Sequence, residues 1–219
     1  MDIKAAIFDM DGTLIDSLGV WEIIWEELGL RLGKGEGFRP SPQDDKAIRT
    51  MLLTDAMELI HKNYDLGDSG KQVHDIAVEI TEHFYREQVT LKNGVREYLE
   101  YLKTSGVPMC VASATAPDLI KHAAEHCGLY DYIDLFVSCA DVGKGKEEPD
   151  VFLYALEKLG STLENTCVFE DSALALTTAK NAGFLTVGIY DPHTFDHDKL
   201  KKAADIYIDN GEDFFKLLK

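Results

Sequence analysis

Residues 4–8, KAAIF, form an apolar run of strand length that stops abruptly at Asp9. From Leu18 to about Gln88 the spacing becomes helical. Trp21, Ile24, Trp25 and Leu28 share one face at helical intervals. DDKAIRTMLLTDAMELIHKNY and KQVHDIAVEITEHFYREQV continue in the same style. The Gly- and Pro-rich GKGEGFRPSPQDD that interrupts them reads as a loop. From Asn93 the chain alternates. VREYLEYLKTSG is helical, VPMCVAS a strand, PDLIKHAAEHCG a helix stopped by Gly128, and IDLFVSC a strand. PDVFLYALEKLG is a helix, NTCVFED a strand, and SALALTTAKNAG a helix begun by Ser172 and ended by Gly183. FLTVGIY and ADIYIDN are strands, and EDFFKLL is a closing helix.

Regular strand–helix alternation implies an α/β fold: a doubly wound parallel sheet with helices on both faces. The helical stretch is inserted after the first strand. Residues 1–17 and 90–219 are therefore expected to form the core, and 18–89 an α-helical insert. No repeat or low-complexity tract interrupts this plan.

Composition narrows the function. A net charge of −17 argues against nucleic acid and against an anionic membrane surface, because both require a basic footprint. An acidic chain still binds anions where it concentrates cations and backbone N–H groups. Cys110, Cys127, Cys139 and Cys167 fit neither a zinc spacing nor a CxxC motif, and read as buried free thiols. The start MDIKAAIFD is too interrupted by charge for a signal peptide, and no apolar run approaches the ~18 residues of a membrane span. A cytoplasmic monomer is the expectation.

The chemistry-bearing residues gather at predicted strand ends. Asp9 and Asp11 follow the first strand, Ser113 and Thr115 the second, Lys144 and Lys146 the third, and Glu170 and Asp171 the fourth. Ligands of doubly wound sheets bind at such carboxyl ends. An EF-hand beginning at Asp9 fails, because it requires Gly at Leu14 and an acid at Val20. Gly-Lys-Gly-Lys is not a phosphate-binding Walker loop, since no Ser or Thr follows the lysine. Clustered carboxylates suit a hard cation such as Mg²⁺, and a carboxylate can act as nucleophile toward phosphorus. Hydroxyl, lysine and helix N-terminal amides suit phosphoryl oxygens.

Asp9-Met-Asp11-Gly12-Thr13-Leu14, with Ser113, a lysine before Pro149-Asp150, and Glu170-Asp171-Ser172, resembles the haloacid dehalogenase superfamily. The nearer resemblance is to its phosphatase and β-phosphoglucomutase-like branch, whose Rossmann-like core carries a helical cap that selects substrate. The resemblance implies a Mg²⁺-dependent phosphohydrolase acting on a small phosphorylated metabolite through an aspartyl-phosphate. It makes Asp9 the nucleophile and Asp11 the general acid and base. Ser113, the backbone at Ala114, Gly12 and Lys146 become the phosphate-binding groups. Asp9, Asp171, Glu170 and the Asp11 backbone carbonyl become the metal site. The family's Lys-Pro-x-Pro-Asp appears here as Lys146-Glu147-Glu148-Pro149-Asp150, with Lys144 as the alternative lysine.

Within that family the second aspartate favours phosphate chemistry over dehalogenation. β-Phosphoglucomutases carry a histidine four residues after the hydroxyl residue that follows motif one. Here Ser17 is followed at that spacing by Trp21, which weakens the mutase reading. In the insert, Arg39, Lys46 and Arg49 are candidates to pair a second anionic group, or are solvated charges. Trp21 and Trp25 are core residues of the insert, or Trp21 walls the substrate pocket. The seven histidines follow no ligand spacing and read as structural or surface residues. A receiver domain would lack the helical insert, and an inert binding protein would have little reason to retain Asp9, Asp11, Ser113, Lys146 and Asp171 together.

Overall fold

The computed structural model describes residues 3–48 and 51–218. The chain divides into two compact units, residues 1–18 with 89–219 and residues 19–88.

In the first unit the strands are β1 (Ala5–Phe8), β2 (Met109–Ser113), β3 (Leu135–Ser138), β4 (Thr166–Glu170), β5 (Leu185–Ile189) and β6 (Ile206–Ile208). Among the described residues they form one sheet in the order β3-β2-β1-β4-β5-β6, parallel throughout. The helices are α5 (Val95–Thr104), α6 (Pro117–Cys127), α7 (Cys139–Val142), α8 (Asp150–Leu159), α9 (Ala173–Ala182) and α10 (His197–Ala203). β1, β2 and β4 are buried along their whole length. Continuous apolar runs are what parallel strands covered on both faces require. One face packs Ile7, Ala112, Val168 and Phe152. Around Phe8, the Phe169 ring stacks at 4.4 Å and Tyr98 meets it edge-on at 6.4 Å.

The strand order reverses direction between β1 and β4, the topological switch point at which such sheets open a crevice. Phe8 pairs with Phe169 across this boundary, so Asp9 and Glu170 emerge side by side. Ser113 and Ser138 are likewise paired at the ends of β2 and β3.

The second unit holds α1 (Val20–Arg31), α2 (Pro42–Ile48), α3 (Leu53–Tyr64) and α4 (Gly70–Glu87). α4 packs against both α3 and α1. Gly70 permits a close crossing, since a Cβ there would lie 2.8 Å from the Glu58 Cα. Helix α2 starts inside the segment expected to be loop. Pro42 opens it without needing an N–H partner, and the Ser41 hydroxyl accepts from the Asp44 amide at 3.1 Å. The polar helix α10 lacked an apolar stripe to announce it. The closing segment Phe214–Leu218 is a 3₁₀ turn, where an α-helix was expected.

Candidate active site

Asp9 and Asp11 lie directly past β1, and the turn that follows is tight. Gly12 N donates to Ile15 O at 3.0 Å, and Leu14 N to Met10 O at 2.9 Å. Met10 is fully buried, as strand alternation between two outward-facing acids requires. Gly12 adopts φ +75°, and a Cβ there would lie 2.3 Å from Asp171 Oδ2. Both the left-handed backbone and the close carboxylate therefore demand glycine.

At the switch point, carboxylate oxygens of Asp9, Glu170 and Asp171 lie within 4.8 Å of one another, and all three residues are buried. Lys146 reaches into this group, donating to Asp9 Oδ1 and, at 2.6 Å, to Glu170 Oε1. The other Glu170 oxygen accepts from the Ser172 amide at 3.1 Å. Ser172 also caps α9 through the Ala175 amide. Lys144, the alternative lysine, is exposed and pairs with Asp150 at 2.9 Å. The lysine that meets Asp9 is thus Lys146.

Burial pushes the Asp9 carboxyl up to about 7, opposed by Lys146 and reinforced by Glu170 and Asp11. Asp171 is also driven well above the carboxylate range, by burial first and then by Asp9 and Glu170. Burial works against the Lys146 charge, but Asp9 and Glu170 more than offset it and hold the ammonium above its usual range. Three buried carboxylates facing one ammonium leave negative charge uncompensated, which is costly in a low-dielectric interior. An all-oxygen donor set with surplus negative charge fits a hard divalent cation. Glu170 already spends an oxygen on each of two protein donors, so Asp9 and Asp171 are the better-placed ligands.

Asp11 has a different environment. Its side chain lies outside the carboxylate cluster. Ser17 Oγ donates to its Oδ1 at 2.7 Å, and Thr115 Oγ1 to its Oδ2 at 2.6 Å. Ser113 Oγ stands 3.5 Å from Oδ2 and accepts from the Thr115 amide at 3.0 Å. Ala114 is exposed at the same edge. No sequence signal gives Thr115 a role beside Ser113, and Ser17 serves there only as the hydroxyl from which the spacing to Trp21 is counted. Ser138 was missed altogether. Its hydroxyl donates to the Thr115 carbonyl at 2.8 Å. Its Ser-x-x-Asp spacing to Asp141, a capping box, was the available signal.

Of the insert candidates, Trp21 is half-buried, with its ring 5.4 Å from that of Trp25. Trp25 is buried and donates to Asp45 Oδ1 at 3.0 Å. Arg39 is engaged by Glu22 and Glu26 at 2.7 and 3.0 Å. Arg49 lies outside the described residues.

A doubly wound sheet with an acid–lysine site at its switch point defines a broad class of phosphate- and nucleotide-handling proteins. A family model narrows it. The model for haloacid dehalogenase-like hydrolases matches residues 3–183, and the chain belongs to that family. Over 220 residues it is 27% identical to the phosphorylated carbohydrates phosphatase of Thermotoga maritima, with 99% of each chain covered. It is 27% identical over 193 residues to the validoxylamine A 7'-phosphate phosphatase of Streptomyces hygroscopicus subsp. limoneus, covering 87% of each. Among solved structures, a Thermotoga maritima protein provisionally described as a β-phosphoglucomutase superposes with a TM-score of 0.84 at 25% identity, over 99% of both chains.

Proposed function

We propose that this protein is a Mg²⁺-dependent phosphatase of small phosphorylated carbohydrates, working through an aspartyl-phosphate. The observation that carries the reading is the junction of β1 and β4, where Asp9 meets Lys146 and Asp171 while Asp11 is held apart by hydroxyls. The phosphatase relatives support the substrate class. A Mg²⁺ ion held by Asp9, Asp171 and the Asp11 backbone carbonyl would supply charge neutralisation for an incoming phosphate dianion.

The Asp9 carboxylate attacks phosphorus as the P–O bond to the leaving alcohol breaks, and Asp11 gives its proton to that oxygen. Ser113, the amides at Gly12 and Ala114, and Lys146 hold the phosphoryl oxygens. Asp11, now a carboxylate, takes a proton from water. The resulting hydroxide attacks phosphorus, the P–O bond to Asp9 breaks, and phosphate leaves with both aspartates restored. We assign this work to a core of residues 1–17 and 90–219, and substrate choice to a helical cap of residues 18–89. Trp21 and Arg49 are its candidate contacts.

Hydrolysis of p-nitrophenyl phosphate, assayed with Mg²⁺ and with EDTA, tests the reading. Turnover that needs Mg²⁺ and is abolished in Asp9→Asn supports it, and full turnover in that variant sinks it. The 0.84 structural match favours a second reading, a phosphomutase. Conversion of β-glucose 1-phosphate to glucose 6-phosphate, in place of free phosphate release, would decide for it.

A further inference from the structure

The described partners of the two aspartates past β1 differ in character. Asp9 is held by an ammonium, which only donates hydrogen bonds. Asp11 is held by hydroxyls, Ser17 on one oxygen and Thr115 on the other. A hydroxyl can donate to a carboxylate or, rotated about its C–O bond, accept from a carboxylic acid. Ser17 and Thr115 can therefore follow the proton on and off Asp11 with every heavy atom in place. Lys146 stabilises only the ionised form of its partner.

We propose that Thr115, assisted by Ser17, is the positioning residue that lets Asp11 act as acid and then as base in one geometry. The proposal rests on the phosphatase reading above. Thr115 is itself held at two points: its carbonyl accepts from Ser138 at 2.8 Å and its amide donates to Ser113 at 3.0 Å. Ser138 is buried and belongs to the capping box that starts α7, so the edges of β2 and β3 brace the hydroxyl that faces Asp11. Asp11 and Thr115 are both half-buried, which leaves Asp11 reachable by substrate or water.

The proposal separates the two chemical steps. Attack of Asp9 on an ester with a good leaving group needs little acid assistance, whereas hydrolysis of the aspartyl-phosphate needs the base. With enzyme in excess over p-nitrophenyl phosphate, nitrophenolate release reads the first step and phosphate release the second. In Thr115→Val, nitrophenolate release is expected within about twofold of wild type, while phosphate release falls about tenfold, a fraction of the ~10²–10⁴ that general acid–base catalysis contributes. With an alkyl phosphate, whose leaving group requires the acid, alcohol release falls as well. Thr115→Ser, which keeps the hydroxyl, restores both. Equal loss of nitrophenolate and phosphate release in Thr115→Val would assign Thr115 to the nucleophile or phosphate site and overturn the proposal, as would no loss in either. Failure of wild-type protein to release nitrophenolate would overturn the phosphatase reading and this inference with it.

Discussion

Asp9, Glu170 and Lys146 show how much one buried cation does. Lys146 is the described ammonium within hydrogen-bonding reach of both acids, and its side chain is 9% exposed. Removing one member of a buried charge group typically costs about 3–5 kcal/mol. Lys146→Met should therefore lower metal-free stability by about 3 kcal/mol in urea titrations and abolish turnover. Lys144→Met, which breaks an exposed pair, should leave the melting temperature and the rate essentially unchanged. Gly12→Ala places a Cβ against Asp171 at φ +75°. It should cost at least about 1 kcal/mol from backbone strain alone and eliminate Mg²⁺-dependent stabilisation. The four cysteines are buried. Burial lifts the Cys110 thiol to about 12 and Cys127 to about 11, from an ordinary 9.0. The unfolded chain releases those protons at lower pH than the folded one, so stability should fall as pH rises from 9.0 toward about 12. At pH 8 a thiol reagent should leave the native protein almost unmodified and titrate all four cysteines in denaturant.

At the scale of elements, the site depends on where helices begin. Ser172 both caps α9 and supplies the amide that orients Glu170. Ser172→Ala removes only the cap, because the amide remains. Loss of an N-cap costs about 1 kcal/mol, so calorimetry should show that loss with near-normal turnover. Ser138 begins α7 and braces Thr115, which makes a four-residue helix part of the acid–base apparatus. The segments either side of the insert run beside each other in the first unit. Ile15 bridges Leu91, and Asp16 N donates to Thr90 O at 2.9 Å. Lys92 then pairs with the buried Asp191 at 2.7 Å, tying that segment to the end of β5.

For the whole molecule, the consequence of a net-negative buried site is linkage to metal. A ligand that binds only the folded state at 100 times its dissociation constant stabilises by about 2.7 kcal/mol. For a chain of this size each kcal/mol raises the melting temperature by about 2–4 °C. Saturating Mg²⁺ should therefore raise the melting temperature by roughly 5–10 °C, EDTA should reverse it, and Asp171→Asn should remove most of the shift. This measurement is independent of activity.

The sequence by itself determined the strands, the helices and the edge at which the acids, hydroxyls and lysines collect. Those features follow from local periodicity and from the rule that parallel strands all expose their carboxyl ends on one side. Even so, the start of α2 was read as loop and α10 was illegible, because both are short and polar; Pro42 and Ser41 set where α2 begins. Only the tertiary structure decided which groups meet. Lys146 and Asp9 are 137 residues apart, and Thr115 and Asp11 are 104 apart. The Lys-x-x-Pro-Asp spacing favours Lys146 over Lys144, but no local pattern assigns the Thr115 hydroxyl to Asp11. The sheet order brings these groups together: β4 on one side of β1 sets its acids beside Asp9, β2 on the other side brings its hydroxyls to Asp11, and the loop after β3 and α7 returns Lys146 to Asp9.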